Sequence, residues 1–517
     1  MASTGSRRSG PATLTIGVIG LGHVGLPTAL SFAELGWDVI GVDSAPDRVR
    51  MLGDGRCPFF EPELEGYLTK HLDSGGFRLT ADVAEAVTAA DVLFMCVGTP
   101  HGEDGAADLS QVETVVRSVA RHMSGYKLVV EKSTSPVRTA ERIKQTLRRY
   151  GNGSYQADVA VNPEFMQEGT AFHDILHPDR IILGVDSLLA RQLLEHIYRP
   201  LLDRLPKPGE CEPCDRLGRR RRKGHPVIVT NLATAELIKH TANAFLATKI
   251  SFINMIADLC EATGADVMEV AHGIGLDPRI GPHFLRAGIG FGGYCLPKDL
   301  RALARIGHEY GLRLSLLDQV ASINEQRIDR FCDQIRGALW VIRGKTIGVL
   351  GLAFKSGTDD LREAPSLKII ARLLAEGASL RVHDPRALDN LHRVLPEQPG
   401  RVIYCRAPYD VATGASGLLV LTEWDEYRTL DLARIREVME VPILFDGRNL
   451  YDPLTVRSFG FEYHGVGRQT QGPAYPAATA HLGHHLPRSP RKVAREIGHA
   501  PAVRRLFLGT RSGGRAW

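Results

Sequence analysis

Short apolar runs rich in β-branched residues alternate with longer mixed stretches from Thr13 to about Leu205. The clearest runs are LTIGVIG (14–20), WDVIGVD (37–43), DVLFMCVG (91–98) and KLVVEKST (127–134). Strand–helix alternation of this kind predicts an α/β domain built on a parallel sheet. From Thr230 to Thr263 there is neither Gly nor Pro, and Gly264 follows as a stop. That spacing predicts one helix of about 34 residues, roughly 50 Å at 1.5 Å per residue. Such a helix is long enough to join two domains and to offer a dimer face, and helical sequence continues to about Ile342. A second α/β pattern starts at Lys345, with KTIGVLGLAF, SLRVHDP, GLLVLTEW and VPILFDGRN, and ends near Gly465.

The expected plan is therefore a flexible arm (1–12), a first Rossmann-like α/β domain (13–205) and a basic loop insertion (206–226). A central helical, dimerising domain (227–342), a second Rossmann-like domain (343–465) and a disordered basic tail (466–517) follow. The insertion is marked by four prolines, three glycines and seven basic residues, and the tail by Gly, Pro, Ala, His and Arg without periodicity.

Length and composition agree with this plan. At about 150 residues per domain, 517 residues suggest two to four domains with ample core. Hydrophobic residues at 44% and charged residues at 24% describe an ordinary globular chain. No apolar run of about 18 residues is present, so no helix is expected to cross a bilayer. The apolar stretch after the basic N-terminus reads as a strand rather than a signal peptide. Eight cysteines in this length do not make a disulfide scaffold, and a reduced, cytoplasmic protein is expected.

The net charge of +4 is an average of unlike parts. The tail holds nine Lys and Arg against one Glu, and the insertion seven against three. The remaining body carries 47 basic against 55 acidic side chains. Anionic ligands must therefore be held by a few placed residues. The basic segments also suggest a polyanion- or nucleic-acid-binding module. Tyr475, Phe507 and Trp517 are too widely spaced to organise base stacking, so solvated segments are the preferred reading. Cys211 and Cys214 form a CxxC with no second ligand pair at finger spacing, and no metal site is expected.

Gly20-Leu21-Gly22-His23-Val24-Gly25 follows a strand and opens a helix. The first glycine makes the tight turn, the second admits a pyrophosphate, and the third permits close helix–strand packing. The helix start supplies free N–H groups and positive dipole. Asp43 closes the second strand, 23 residues after Gly20, where a carboxylate suits the ribose hydroxyls of NAD and repels the extra phosphate of NADP. Arg48 nearby serves either cofactor. The corresponding turn of the second half, GLAFKSG, lacks the full fingerprint and binds a different nucleotide or none.

Three clusters carry chemistry. Cys295 follows a Gly-rich approach, FGGYCLPKD, and a thiolate attacks carbonyl carbon well, with a neighbouring cation expected to lower its pKa. A plain buried thiol is the alternative. NPEFMQEG (162–169) reads as a short helix capped by Asn162 and stopped by Gly169, with Glu164 and Glu168 on one face. Solvated carboxylates are the alternative there. Lys239 and Asn243 share a face of the long helix, where a partly buried lysine with a lowered pKa serves as acid or base. A snorkelling lysine is the bland reading.

Taken in order, GVIGLGHVGLPTA, VGTP (97–100), EKSTSPVRT (131–139), NPEFMQEGTAFHD (162–174), AELIKHTANAFLATKISFIN (235–254), DPRIGPHFLRAGIGFGGYCLPKDL (277–300), GLAFKSGTDDLREAPS (351–366), TEWDEY (422–427) and DGRN (446–449) resemble the UDP-glucose/GDP-mannose dehydrogenase family. The resemblance spans residues 14 to about 465. It implies two Rossmann-like domains joined by a long dimerising helix. It also implies oxidation of a nucleotide-sugar 6-hydroxyl to the acid with two NAD consumed. UDP-glucose is the expected substrate; GDP-mannose or a UDP-N-acetylhexosamine are alternatives. Cys295 is implied as the nucleophile that holds the aldehyde as a thiohemiacetal and then a thioester. Lys239 and Asn243 are implied in oxyanion stabilisation, Lys239 also handling the alcohol proton. Asp299 is implied to act through a water and Lys239, Glu164 in thioester hydrolysis, and Thr134 in ordering a water or the nicotinamide side.

For the cofactor the resemblance implies Gly20, Gly22, His23, Val24, Gly25, Asp43, Arg48, Val97, Thr99, Thr134, Glu168, Lys298 and Arg362. For the UDP-sugar it implies Glu164, Phe165, Glu168, Lys239, Asn243, Phe284, Arg286, Gly290, Phe291, Gly292, Phe354, Lys355 and Arg448. Arg279 is implied to reach a neighbouring subunit's site. Tyr294 departs from the family, many members of which carry serine there.

Overall fold

The computed structural model describes residues 14–100, 102, 106–151, 153, 156–203 and 226–468. The apolar runs become strands. The first sheet holds β1 (Thr15–Ile19), β2 (Asp38–Val42), β3 (Phe77–Thr80), β4 (Val92–Met95), β5 (Lys127–Glu131), β6 (Ala157–Val161), β7 (Ile181–Gly184) and β8 (Val227–Thr230). Their order is β3-β2-β1-β4-β5-β6-β7-β8. Every pairing is parallel except β6 with β7, which meet antiparallel at Val161 and Gly184. The chain turns back there through the six-residue helix Ala171–Leu176, with no crossover helix between neighbours. Ile16, Val18, Phe94, Leu128 and Val130 are buried on one face and Ile19, Leu93, Met95 and Val129 on the other, so the sheet is covered on both.

The second sheet repeats the plan with six strands: β9 (Thr346–Leu350), β10 (Ser379–His383), β11 (Val402–Tyr404), β12 (Gly417–Val420), β13 (Ile443–Asp446) and β14 (Glu462–Gly465). Its order, β11-β10-β9-β12-β13-β14, is the doubly wound order of the first six strands of the other sheet.

Between the sheets lies the long helix, Leu232–Thr263. Thr230 ends β8, so the helix begins two residues later than its composition suggests. The Asn231 side chain accepts from Thr234 N (2.8 Å), and Gly264 closes the helix at φ +81°. Lys239, His240, Asn243, Ala247, Ser251 and Asn254 are buried on one face, while Phe245, Phe252, Met255 and Leu259 are exposed on another. The helices Val267–Gly275, Cys295–Glu309 and Ser315–Leu339 complete the middle.

The second half continues past the boundary expected at Gly465, to Arg468 among the described residues. Val466 is buried and exchanges hydrogen bonds with the Asn449 side chain (3.0 and 2.8 Å). Gly467 N donates to Glu261 (2.8 Å), and Arg468 pairs with Asp266 (3.0 Å). The expected arm at 1–12, the basic insertion up to His225 with Cys211 and Cys214, and the tail from Gln469 lie outside the described residues. Among the described residues no helix is long and apolar enough to cross a membrane.

Candidate active site

Part of the candidate site follows the carboxyl ends of strands, where doubly wound folds bind ligands, and the rest comes from the long helix and the helix Cys295–Glu309. Gly20 leaves β1 at φ +94°, and its N–H donates to Val42 O (2.8 Å). A Cβ on Gly25 would lie 1.7 Å from Gly20 O, so only glycine lets the helix Gly25–Glu34 start this close to the strand. A Cβ on Gly22 would meet nothing within 4 Å, so the turn is open on the side facing away from the sheet. Asp43 ends β2 as a buried carboxylate. It accepts from Leu21 N (2.9 Å), Ala45 N (2.9 Å) and Arg48 Nη1 (2.8 Å). Thr99 Oγ1 donates to Thr134 O (2.7 Å), and Ser133 Oγ to Val97 O (2.7 Å), which ties the ends of β4 and β5 together. His23 stacks on Phe59 at 4.1 Å; burial and the Arg362 guanidinium push its pKa down to about 4. An open glycine turn at a helix start beside a buried acid fits a dinucleotide without a 2′-phosphate.

A second cluster is joined to the β4 and β5 ends through Thr134. Lys239 Nζ is 2.9 Å from Glu164 Oε1, both side chains buried. Asn243 Nδ2 donates to Asp299 Oδ2 (2.5 Å), and Lys298 Nζ stands 2.7 Å from Asp299 Oδ1 and 3.4 Å from Thr134 O. Cys295 opens the helix Cys295–Glu309 and is partly exposed.

Two expected pKa directions are overturned. Burial works against the Lys239 ammonium, but Glu164, Asp299 and Cys295 outweigh it, so its pKa is raised and the amine stays charged. Burial and then the Glu164 carboxylate push the Cys295 thiol up to about 12, against the opposing pull of Lys239. Asp299 is held below the usual carboxylate range; Lys298, His240 and Lys239 overcome its burial.

The helix expected over 162–168 does not form. The segment has no regular structure up to residue 167 and then turns, and Asn162, instead of capping a helix, is buried: it donates to Ile182 O (2.9 Å) and accepts from Lys132 (3.1 Å) and Tyr198 (2.5 Å). Glu164 and Glu168 therefore share no helical face. Glu164 turns to Lys239, while Glu168 meets Thr358 (3.2 Å) and Arg362 (3.4 Å) of the second α/β half. Burial and Asp360 push the Glu168 carboxyl up to about 7. Phe165 lies between the Arg180 guanidinium, 3.6 Å from its ring centre, and Lys239, 5.3 Å away.

The glycine approach to Cys295 is fixed by contacts distant in sequence. Gly290 has φ +100°, and a Cβ there would lie 2.7 Å from Asn324 Oδ1. The Asn324 amide brackets Phe291, accepting from its N–H (2.8 Å) and donating to its carbonyl (3.0 Å). A Cβ on Gly292 would lie 2.4 Å from Glu363 O. Arg448 spans the gap, donating to Gly290 O (3.1 Å), Phe354 O (3.0 Å) and Leu421 O (2.8 Å). Lys355, beside Phe354, is pushed down by burial against the carboxylates of Glu168, Glu61, Asp174 and Glu423. Arg362 grips Asp360 and lies 4.6 Å over the Tyr294 ring.

Not every expected residue converges. Arg279 is exposed and clamped on Asp277 (2.6 Å), and Arg286 is exposed. Phe284 is half-buried with φ +62°. Three structural partners escaped the sequence reading. Asn324 is one. Glu61 is another: its carboxyl, pushed up to about 7 by burial, accepts from Gly169 N and Ala171 N (both 2.7 Å). The third is His240, whose one visible signal was its place beside Lys239.

Family models match three segments of the chain. They are the UDP-glucose/GDP-mannose dehydrogenase NAD binding domain (14–202), central domain (233–326) and UDP binding domain (348–453). The chain is 41% identical over 462 residues to a UDP-glucose 6-dehydrogenase of Pseudomonas aeruginosa, covering 88% of this chain and 98% of that one. It is 39% identical over 453 residues to UDP-glucose 6-dehydrogenase TuaD of Bacillus subtilis, covering 88% and 93%. Among solved structures, a UDP-glucose dehydrogenase from Pyrobaculum islandicum superposes with a TM-score of 0.79 at 35% identity, covering 90% of this chain and 100% of the other.

Proposed function

This chain belongs to the UDP-glucose/GDP-mannose dehydrogenase family, and we propose that it oxidises the 6-hydroxyl of UDP-glucose to the carboxylate with two NAD consumed per sugar. The observation that carries this reading is the burial of Lys239, Asn243, Asp299 and Glu164 in one cluster around the Cys295 thiol.

Bound NAD supplies the hydride acceptor. The Gly20–Gly25 turn, with His23 and Val24, holds its pyrophosphate, and Asp43 with Arg48 its ribose. Val97, Thr99, Thr134, Lys298, Glu168 and Arg362 line the remainder. The charged Lys239 and the Asn243 amide stabilise negative charge developing on the sugar oxygen. Asp299 acts through a water and Lys239. The Cys295 sulfur adds to the 6-aldehyde as its proton passes to the aldehyde oxygen, giving a thiohemiacetal that cannot escape and still carries a transferable hydride. Its oxidation leaves a thioester. Water adds to the thioester carbonyl, Glu164 takes the water's proton, and the C–S bond breaks to return the thiol. Glu164, Phe165, Gly290, Phe291, Gly292, Phe354, Lys355 and Arg448 hold the UDP-sugar, Arg448 and Lys355 serving its diphosphate. The exposed Arg279 is assigned to a neighbouring copy's site.

The dimer reading is supported by Phe245, Phe252, Met255 and Leu259, which are exposed and spaced seven, three and four residues apart along the long helix. The cytoplasmic reading is supported by the six free cysteines among the described residues.

A panel of UDP-glucose, GDP-mannose and UDP-N-acetylhexosamines, followed by NADH absorbance, tests the reading. Two NADH per UDP-glucose are expected. No NADH from UDP-glucose, with two per GDP-mannose, overturns the choice of substrate.

A further inference from the structure

His240 faces inward from the long helix and is buried. Its Nε2 lies 2.8 Å from Ser135 O. A carbonyl oxygen only accepts, so Nε2 carries the hydrogen, and in the neutral ring Nδ1 presents its lone pair. Nδ1 lies 3.9 Å from Asp299 Oδ1 and has no hydrogen-bond partner among the described residues. The Lys298 ammonium meets that carboxylate oxygen at 2.7 Å. The bare Nδ1 is therefore a buried acceptor without a donor, beside the carboxylate that binds Asn243. Such an acceptor is unfavourable until a proton reaches it.

Each oxidation releases a proton that needs a resting place. Lys239 is already an ammonium paired to Glu164, and Asp299 is a carboxylate held by Lys298, so neither of these two is a ready strong base. We infer that His240 is a positioning residue that accepts, at Nδ1 and through Asp299, the proton leaving the sugar hydroxyl. The inference rests on the dehydrogenase reading. The O–H bond of the alcohol breaks, and the C–H electron pair leaves as hydride to the nicotinamide. The proton passes by way of Asp299 to Nδ1, and the imidazolium so formed is neutralised by the Asp299 carboxylate. The second oxidation, of the thiohemiacetal O–H, uses the same acceptor after it has been discharged to solvent.

The charged groups around the ring support this assignment. From the Cys295–Glu309 helix come Asp299, which favours the imidazolium, and Lys298, which opposes it. From its own helix come Lys239, which opposes it, and Glu236 one turn earlier. From the β5 side come the Ser135 carbonyl and, behind Ser135, the buried Glu131. Burial dominates and holds the free ring neutral, ready to accept.

The test is His240→Gln, whose amide keeps an N–H for Ser135 O but cannot titrate. NAD affinity should be unchanged. At pH 7 kcat should fall about 10- to 100-fold. The acid limb of the wild-type kcat profile, below the ordinary histidine value, should vanish, and the deficit should narrow as pH rises and solvent takes the proton. A kcat equal to wild type, or a profile lowered uniformly with its shape kept, overturns the inference. Long-range 1H–15N NMR of the histidine rings reads the tautomer without turnover: a bare Nδ1 at pH 8 is expected, and a protonated Nδ1 in the neutral ring overturns it. That reading stands apart from whether UDP-glucose yields NADH. His240→Asn carries the same measurements if His240→Gln does not bind NAD.

Discussion

Asp384 stands in the second sheet where Asp43 stands in the first. Each follows the strand beside a glycine turn. Gly20 N donates to Val42 O (2.8 Å) and Gly351 N to His383 O (2.9 Å), both glycines at φ +94°. Leu21 N donates to Asp43 Oδ2 (2.9 Å), and Leu352 N to Asp384 Oδ2 (2.7 Å). Asp384 is then filled by Ala353 N, Trp424 Nε1, Arg386 N and Ala387 N, all at 2.9–3.1 Å. Asp43 has only the movable, half-exposed Arg48 and Ala45 N besides.

The same substitution should therefore do different things in the two halves. Asp43→Asn removes the charge on the cofactor ribose and releases Arg48. The NAD kcat/KM should fall about 10- to 100-fold, the worth of roughly 1.5–3 kcal/mol for a charged hydrogen bond, and the NADP/NAD ratio should rise. Asp384→Asn should lower Tm and leave the NAD KM unchanged. Steady-state kinetics with both cofactors and a thermal melt distinguish them.

Cys295 should be slow to alkylate at pH 7–8 in the free enzyme, because its thiol lies near 12. Glu164 is the largest charged contributor to that shift. Glu164→Gln should therefore speed modification by iodoacetamide, read by mass spectrometry, while slowing release of the thioester during turnover. Faster turnover together with slower alkylation would contradict this pairing.

Glu131 is buried with neither oxygen meeting a donor among the described residues, and it faces Glu236, which accepts from Arg138 N (2.6 Å) and Ala140 N (2.8 Å). A proton on Glu131 joins the two carboxyls. Its folded pKa lies well above the unfolded 4.5, so its contribution is complete below pH 4.5 and is lost as pH rises. The loss is about 1.4 kcal/mol per pH unit until the folded group ionises. Glu131→Gln should melt higher than wild type at pH 8, and the advantage should close toward pH 4.5.

Cutting the chain after Arg468 should leave turnover nearly intact. Cutting after Gly465 removes Val466, the Gly467 link to Glu261 and the Arg468 pair with Asp266, and should lower Tm measurably.

Much of this was legible because it is local. The glycine turn, Asp43 and the apolar strand runs declare themselves within a few residues, and Gly264 marks the end of the long helix by a backbone rule alone, while composition puts its start one residue before the Asn231 cap. The 162–169 segment was misread for the opposite reason. Asn-Pro-Glu satisfies every local rule for a helix start, yet Asn162 is claimed by Lys132 and Tyr198, and the turn at Gly169 by Glu61, 108 residues earlier. Lys239 reads as a candidate base until Glu164 arrives beside it from the segment after β6. Charge states follow from neighbours that folding supplies, and a single helix face does not contain them.

The long helix is a lever. Its 32 residues span about 48 Å, with the Lys239 ammonium near one end and Ala257 and Glu261, which meet Gly467, near the other. Tilting a rod of that length by about 2° about one tip carries the other by roughly 1.7 Å, beyond the ~0.5 Å tolerance of a working site. The placement of the Lys239 ammonium is therefore tied to the Gly467 contacts with Ala257 and Glu261, about five to six turns away along the same helix.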